Sequence, residues 1–253
     1  MCDVYFDLTN DDIFKMVFAK EESAERLRGL LNVLLRYEGD EQITAVEILN
    51  PIQNRSDLKE KKPVLDLYVK DGNGRHYNIE MQVKVPEEYP KRALYYASKL
   101  YGSQMIRGDE YDQLQKTVSI SLLKNNFFDC EELHNVFRFR NDRDGSLLND
   151  DLIDMHFFEV GKFNKDNPDE LKDIYEGWLH VFRYGERILS GDIVLSERLL
   201  SVPGIKEAVD IMRFANEDDK TRVLLISREK QRRKEEGLKA LKTAEKRRIR
   251  EEG

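Results

Sequence analysis

The chain has 253 residues, 36% of them charged and 40% hydrophobic, with a net charge of −7. That length can bury a substantial core and fits one domain with an extension, or two small ones. The acidic balance excludes a protein that coats nucleic acid through bulk charge, but leaves room for a local basic surface. No run reaches membrane-spanning length, and the start lacks a basic segment followed by an apolar one. The two cysteines, Cys2 and Cys130, offer neither a disulfide framework nor a zinc spacing. A cytoplasmic, reducing compartment is expected.

Thr9-Asn-Asp-Asp12 is a helix-start cluster ahead of the apolar residues Ile13, Phe14, Met16, Val17 and Phe18. Asp11 reads as a cap of that helix. Glu21–Arg36 predicts a second helix, because Leu27, Leu30, Leu31, Leu34 and Leu35 recur at three- and four-residue spacing; Gly39 is its expected end. Ile43–Leu49 alternates as a strand, and 53–63 is polar and loop-like. A helix is expected from Tyr89-Pro90 to about Ile106. Strands are expected over Lys116–Leu123, Phe127–Arg140 and Asp154–Val160. From Pro168 the pattern is helical, with breaks at Gly191 and Pro203-Gly204. Ser227–Glu252 predicts a charged helix. From Arg228 onward there are eleven basic and six acidic side chains, so the tail is positive by five and the rest negative by twelve. Such a tail reads first as a solvated face or a coiled-coil partner; its cluster Lys246-Arg-Arg-Ile-Arg250 offers charge to phosphates. Helices and strands mixed around one sheet predict an α/β or α+β sandwich.

Two segments between the early strand and the middle helix carry the functional signal. Val64-Leu-Asp-Leu-Tyr-Val69 and Tyr77-Asn-Ile-Glu-Met-Gln-Val83 read as adjacent strands joined by Asp71-Gly-Asn-Gly74. A three-residue loop with Gly74 left-handed pairs Asp71 with Arg75 and places Asp66 across from Glu80. Leu65, Leu67, Val69, Ile79, Met81 and Val83 then share one face, and Asp66, Glu80 and Gln82 the other. Opposed carboxylates repel, and a divalent cation between them resolves the conflict. Asp66, Glu80 and the Met81 carbonyl form a candidate magnesium site completed by water and a phosphate. Gln82 can orient a water but cannot act as a base. Lys84 and Lys62 can add charge or be solvated strand-end lysines. Taken alone, the pattern also fits two acids on a solvent-facing hairpin.

In this context, the chain resembles the PD-(D/E)XK nuclease superfamily, and within it the recombination-promoting nuclease and transposase branch. The resemblance rests on Asp11-Asp-Ile-Phe-Lys15, on Asp66 with Glu80-Met-Gln82, and on Arg92–Tyr96 with Leu100-Tyr101, Gln104, Gly108 and Tyr111. His156-Phe-Phe-Glu159 with Lys162-Phe163 completes it. It implies a restriction-endonuclease-like α/β core, a mixed central sheet flanked by helices, over 1–163. A helical extension (164–226) and a charged helical tail (227–253) would follow. The implied activity is Mg2+-dependent hydrolysis of DNA phosphodiesters, with Mn2+ as a substitute. Asp66 and Glu80 would be ligands and Gln82 a positioning group standing where the superfamily commonly has lysine. An acid from the first helix, Glu21, Glu22 or Glu25, often joins such sites. DNA is the implied partner, with a homodimer open, no membrane and no organic cofactor. The rival reading is a DNA-binding or interaction module that keeps the fold without catalysis. His156 reads as structural, and the tyrosines Tyr89, Tyr95, Tyr96 and Tyr101 as packing.

Overall fold

The computed structural model describes residues 4–49 and 67–251. Six strands among them form one mixed sheet: β1 (Val46–Leu49), β2 (Leu67–Asp71), β3 (His76–Gln82), β4 (Thr117–Leu123), β5 (His134–Phe137) and β6 (Ile153–Glu159). Their order is β1-β2-β3-β4-β6-β5. The pairs β1–β2, β2–β3 and β5–β6 are antiparallel, whereas β3–β4 and β4–β6 are parallel. A parallel neighbour requires a crossover, and between β3 and β4 it is helix α3 (Tyr89–Gly102).

The β2–β3 hairpin has the expected register. Leu67 lies opposite Ile79 and Val69 opposite Tyr77. The Asp71 N–H donates to the Arg75 carbonyl at 3.0 Å. Gly74 takes φ +87°, the left-handed position that only glycine occupies cheaply. The side chain of Asp71 fixes the turn as well, accepting from the N–H groups of Asn73 and Arg75 at 2.9 Å each.

Alternation divides the sheet into two faces. Under α3 lie Asn78, Glu80, Ser119, Ser121, Leu123, Met155 and Phe157. Tyr89, Ala93 and Ala97 of α3 are buried there with Leu123, Ile153, Met155 and Phe157; the two alanines let the helix approach closely. The opposite face carries Val69, Ile79, Ile120 and Leu122, all 0% exposed. Each such side chain contributes roughly 1.5–3 kcal/mol by leaving water. The helices α1 (Asp11–Phe18), α2 (Ala24–Leu35) and α4 (Ile174–Ser190) bury their apolar stripes, with Phe18 against Trp178 at 5.8 Å.

Several expected boundaries shift for identifiable reasons. Asn10, rather than Asp11, caps α1: its side chain accepts from Asp12 and Ile13, while Asp11 pairs with Lys15 at 2.9 Å. The first strand begins at Val46, because both backbone groups of Ile43 are taken by the Asn32 amide at 2.8 and 2.9 Å. The second helix opens with a 3-10 turn at Glu21–Ser23 and ends at Arg36, left-handed at φ +55°, three residues before Gly39. Helix α3 stops at Gly102, four residues short of Ile106. The Gln104 amide then bonds the Gln115 N–H and carbonyl and the Thr117 hydroxyl. The long strand expected over Phe127–Arg140 forms only at His134–Phe137, because the amides of Phe127 and Phe128 are held by Glu159.

Gly191, at φ +85°, ends α4, and the short helix α5 (Glu197–Leu200) follows. The chain divides into two units, one up to Met212 and one from Arg213. Helix α6 (Ile205–Glu217) runs across that boundary. The second unit then holds α7 (Asp219–Glu251), longer than the tail helix expected from Ser227. Asp218 caps α7 by accepting from the Thr221 N–H at 2.8 Å, and Glu229 pairs with Arg232 and Arg233. The side chains of the cluster 246–250 lie outside the described residues. Among the described residues no helix is long and apolar enough to cross a membrane.

Candidate active site

Glu80 lies on the central strand β3, 3% exposed. Its Oε2 faces three groups: the Tyr89 hydroxyl at 3.2 Å, the Arg92 Nη2 at 3.3 Å and the Gln82 Nε2 at 3.5 Å. The first two come from α3, whose opening turn crosses the strand end. The Tyr89 hydroxyl also lies 2.9 Å from the Ser121 Oγ, and Ser121 is the register partner of Glu80 on β4. Burial, then the Glu80 charge, pushes the Tyr89 phenol well above its ordinary pKa, so it stays a neutral donor.

Oε1 of Glu80 is buried and, among the described residues, has no hydrogen-bond partner, and neither has Oδ1 of Asn78 two residues earlier on the same face. A buried polar atom left unpaired costs about 1–3 kcal/mol, more when charged. The buried, unpartnered Oε1 of Glu80 is an oxygen donor of the kind a hard cation takes. This part of the proposed magnesium site therefore fits its ligand. Among the described residues no group of three or more His, Cys, Asp or Glu could hold a metal ion. Asp66, and with it Lys62, lies outside the described residues.

Gln82 is half-buried beside Glu80, whereas the Met81 side chain is buried on the other face, which leaves only its backbone for any ligand role. Lys84 is exposed beyond the strand end. Glu21, Glu22 and Glu25 are exposed, with Glu22 paired to Lys20 and Glu25 to Arg28.

Glu159 of the His156–Phe163 segment has a different setting. It is 0% exposed and accepts from the backbone amides of Phe127 and Phe128 at 2.5 and 3.0 Å, from Asn135 Nδ2 at 3.1 Å and from Lys162 Nζ at 2.7 Å. Lys162 also donates to the Phe128 and Glu132 carbonyls. Burial lowers the Lys162 pKa, but the hydrogen bond and charge of Glu159 outweigh it, so the ammonium is held above its ordinary value. His156 is a core residue with its Nδ1 3.0 Å from His134 Nε2. Burial and that neighbour push it down to about 3, and burial first, then Arg36, pushes His134 to about 4.

Tyr89 and Ser121 were not legible as partners of the acid. Thr117, Ser119 and Ser121 do alternate with Val118, Ile120 and Leu122, and that polar stripe in a buried strand is the available signal.

A mixed sheet whose parallel strands β3 and β4 are linked by α3, with an acid on its central strand, defines a restriction-endonuclease-like α/β core with a helical C-terminus. A family model described as PD-(D/E)XK nuclease family transposase matches residues 8–241. The chain belongs to that family. No curated protein matches the chain, and no solved structure does.

Proposed function

We propose that the chain is a magnesium-dependent DNA endonuclease of the transposase, recombination-promoting type. Asp66 and Glu80 are its metal ligands, the Met81 carbonyl adds a third, and Gln82 positions water or phosphate. Catalysis lies within 1–163; the helical extension (164–226) and the tail (227–253) serve binding or self-association. The observation that carries this reading is the buried Glu80 carboxylate, with one oxygen braced and the other free of donors.

Bound there, a divalent cation supplies a polarised phosphoryl oxygen and a water of lowered pKa. The chain's own groups do the rest. Tyr89, itself bonded to Ser121, fixes the Glu80 carboxylate through Oε2, which leaves Oε1 to serve as the ligand. Gln82 has no ionisable proton; it directs a water or phosphate oxygen by hydrogen bonding and takes no proton itself. DNA is the substrate, and Mn2+ substitutes for Mg2+. The test is supercoiled plasmid with Mg2+ or Mn2+, using wild type, Asp66→Ala and Glu80→Ala. Nicking by wild type alone is expected; equal activity in all three proteins refutes these roles.

One observation favours a second reading. Gln82 stands where the superfamily commonly has lysine, so the site holds one cation fewer, as suits a DNA-binding module without catalysis. Calorimetric titration with Mn2+ separates the two, since that module binds no metal with or without DNA.

A further inference from the structure

We infer that Arg92 is a built-in counter-ion that competes with the divalent cation for Glu80. The inference rests on the proposed metal-ligand role of Glu80 and adds a residue that sets how tightly the free protein takes the ion.

A carboxylate this buried needs a compensating charge. In the described structure Arg92 supplies it through one contact, Nη2 to Oε2 at 3.3 Å. The pair is poorly made for a structural bridge. Guanidinium and carboxylate bind best through two parallel short hydrogen bonds. Here, among the described residues, the Arg92 Nε is buried without a partner, and so is Glu80 Oε1. Arg75 shows what a structural arginine does in the same sheet: its Nε meets Asp71 at 2.7 Å, and its two terminal nitrogens meet the side chain and carbonyl of Glu41 at 2.9 Å.

Arg92 is also placed to leave. Its side chain is 40% exposed, against 10% for Arg75. Its guanidinium lies 4.8 Å from the Tyr89 ring centroid, a cation–π contact at the rim of the site that survives a small rotation. A divalent ion on Glu80 repels the guanidinium at this range. Arg92 then turns outward, and Tyr89 keeps its hold on Oε2. The free protein thus keeps Glu80 compensated before the metal arrives, at the expense of metal affinity.

The test is the Mn2+ dissociation constant of the DNA-free, full-length protein, measured by calorimetry for wild type, Arg92→Gln, Arg92→Lys and Glu80→Gln. Arg92→Met is the alternative if the glutamine variant fails to fold. Removing the charge should tighten Mn2+ binding by roughly three- to tenfold, a range discounted for the exposure of Arg92. Arg92→Lys keeps a point charge and should stay within about twofold of wild type. Equal or weaker binding in the neutral variant overturns the inference, as does equal tightening in the lysine variant. A merely structural arginine would lose affinity on removal. Glu80→Gln separates the two levels. If it abolishes Mn2+ binding, the ligand role stands whatever Arg92 does; if it leaves binding intact, the ligand role and the competition both fall.

Discussion

Glu80 and Glu159 face the same side of one sheet, in adjacent rows two strands apart, and both are almost wholly buried. Glu159 has donors on both oxygens: two backbone amides on one, an amide and an ammonium on the other. That carboxylate knots the loop before β5 to the end of β6, and nothing is left over for chemistry. Glu80 has three longer contacts crowded on one oxygen and none on the other. Burial and sequence type are shared, so neither distinguishes the two roles. What differs is whether the fold completes the coordination of the carboxylate or leaves part of it open.

The two carboxylates should respond in opposite ways to the same substitution. Glu80→Gln should lower metal-dependent plasmid cleavage by roughly 10³-fold or more, since it removes the proposed charged ligand. Its melting temperature should hold or rise, because an incompletely paired charge has left the interior. Glu159→Gln should do the reverse. It strands Lys162, 9% exposed, and should cost about 3 kcal/mol in denaturant unfolding. Its cleavage per folded molecule should change little.

A third effect comes from the other face. His134 and His156 are held neutral in the fold, at about 4 and about 3, below the unfolded value of about 6.5. The unfolded chain therefore binds more protons as pH falls from there towards 4 and 3. The stability these residues contribute is present above that value and is lost as pH falls through the window. Thermal melts should drop between pH 7.5 and pH 5, and His156→Asn with His134→Asn should flatten that slope. The smallest effect is expected from Tyr89→Phe, about 1 kcal/mol of stability. It also removes the hydroxyl that holds Glu80, so cleavage should fall by less than about tenfold. A larger loss in cleavage would give Tyr89 a direct part in the chemistry.

The hairpin was readable in advance because its determinants are local. Apolar alternation fixes the faces, and Asp71-Gly-Asn-Gly74 fixes the loop. β3, β4 and β6 were legible as strands because each is a run of seven residues, buried but for the half-buried Gln82. Where a strand came out shorter than expected, a distant side chain had taken a backbone group: Asn32 on Ile43, and Glu159 on Phe127 and Phe128. Periodicity carries no trace of such bonds. The site was legible as an acid and an amide on one strand face. Its bracing by Tyr89 and Ser121 was not, because it depends on how α3 crosses that face.

The most direct test of the contrast is a crystal soaked in saturating Mn2+ and measured at the manganese absorption edge. An anomalous peak is expected roughly 2.1 Å from Glu80 Oε1, with Arg92 turned away and Glu159 unchanged. A peak at Glu159, or none at Glu80, would contradict it.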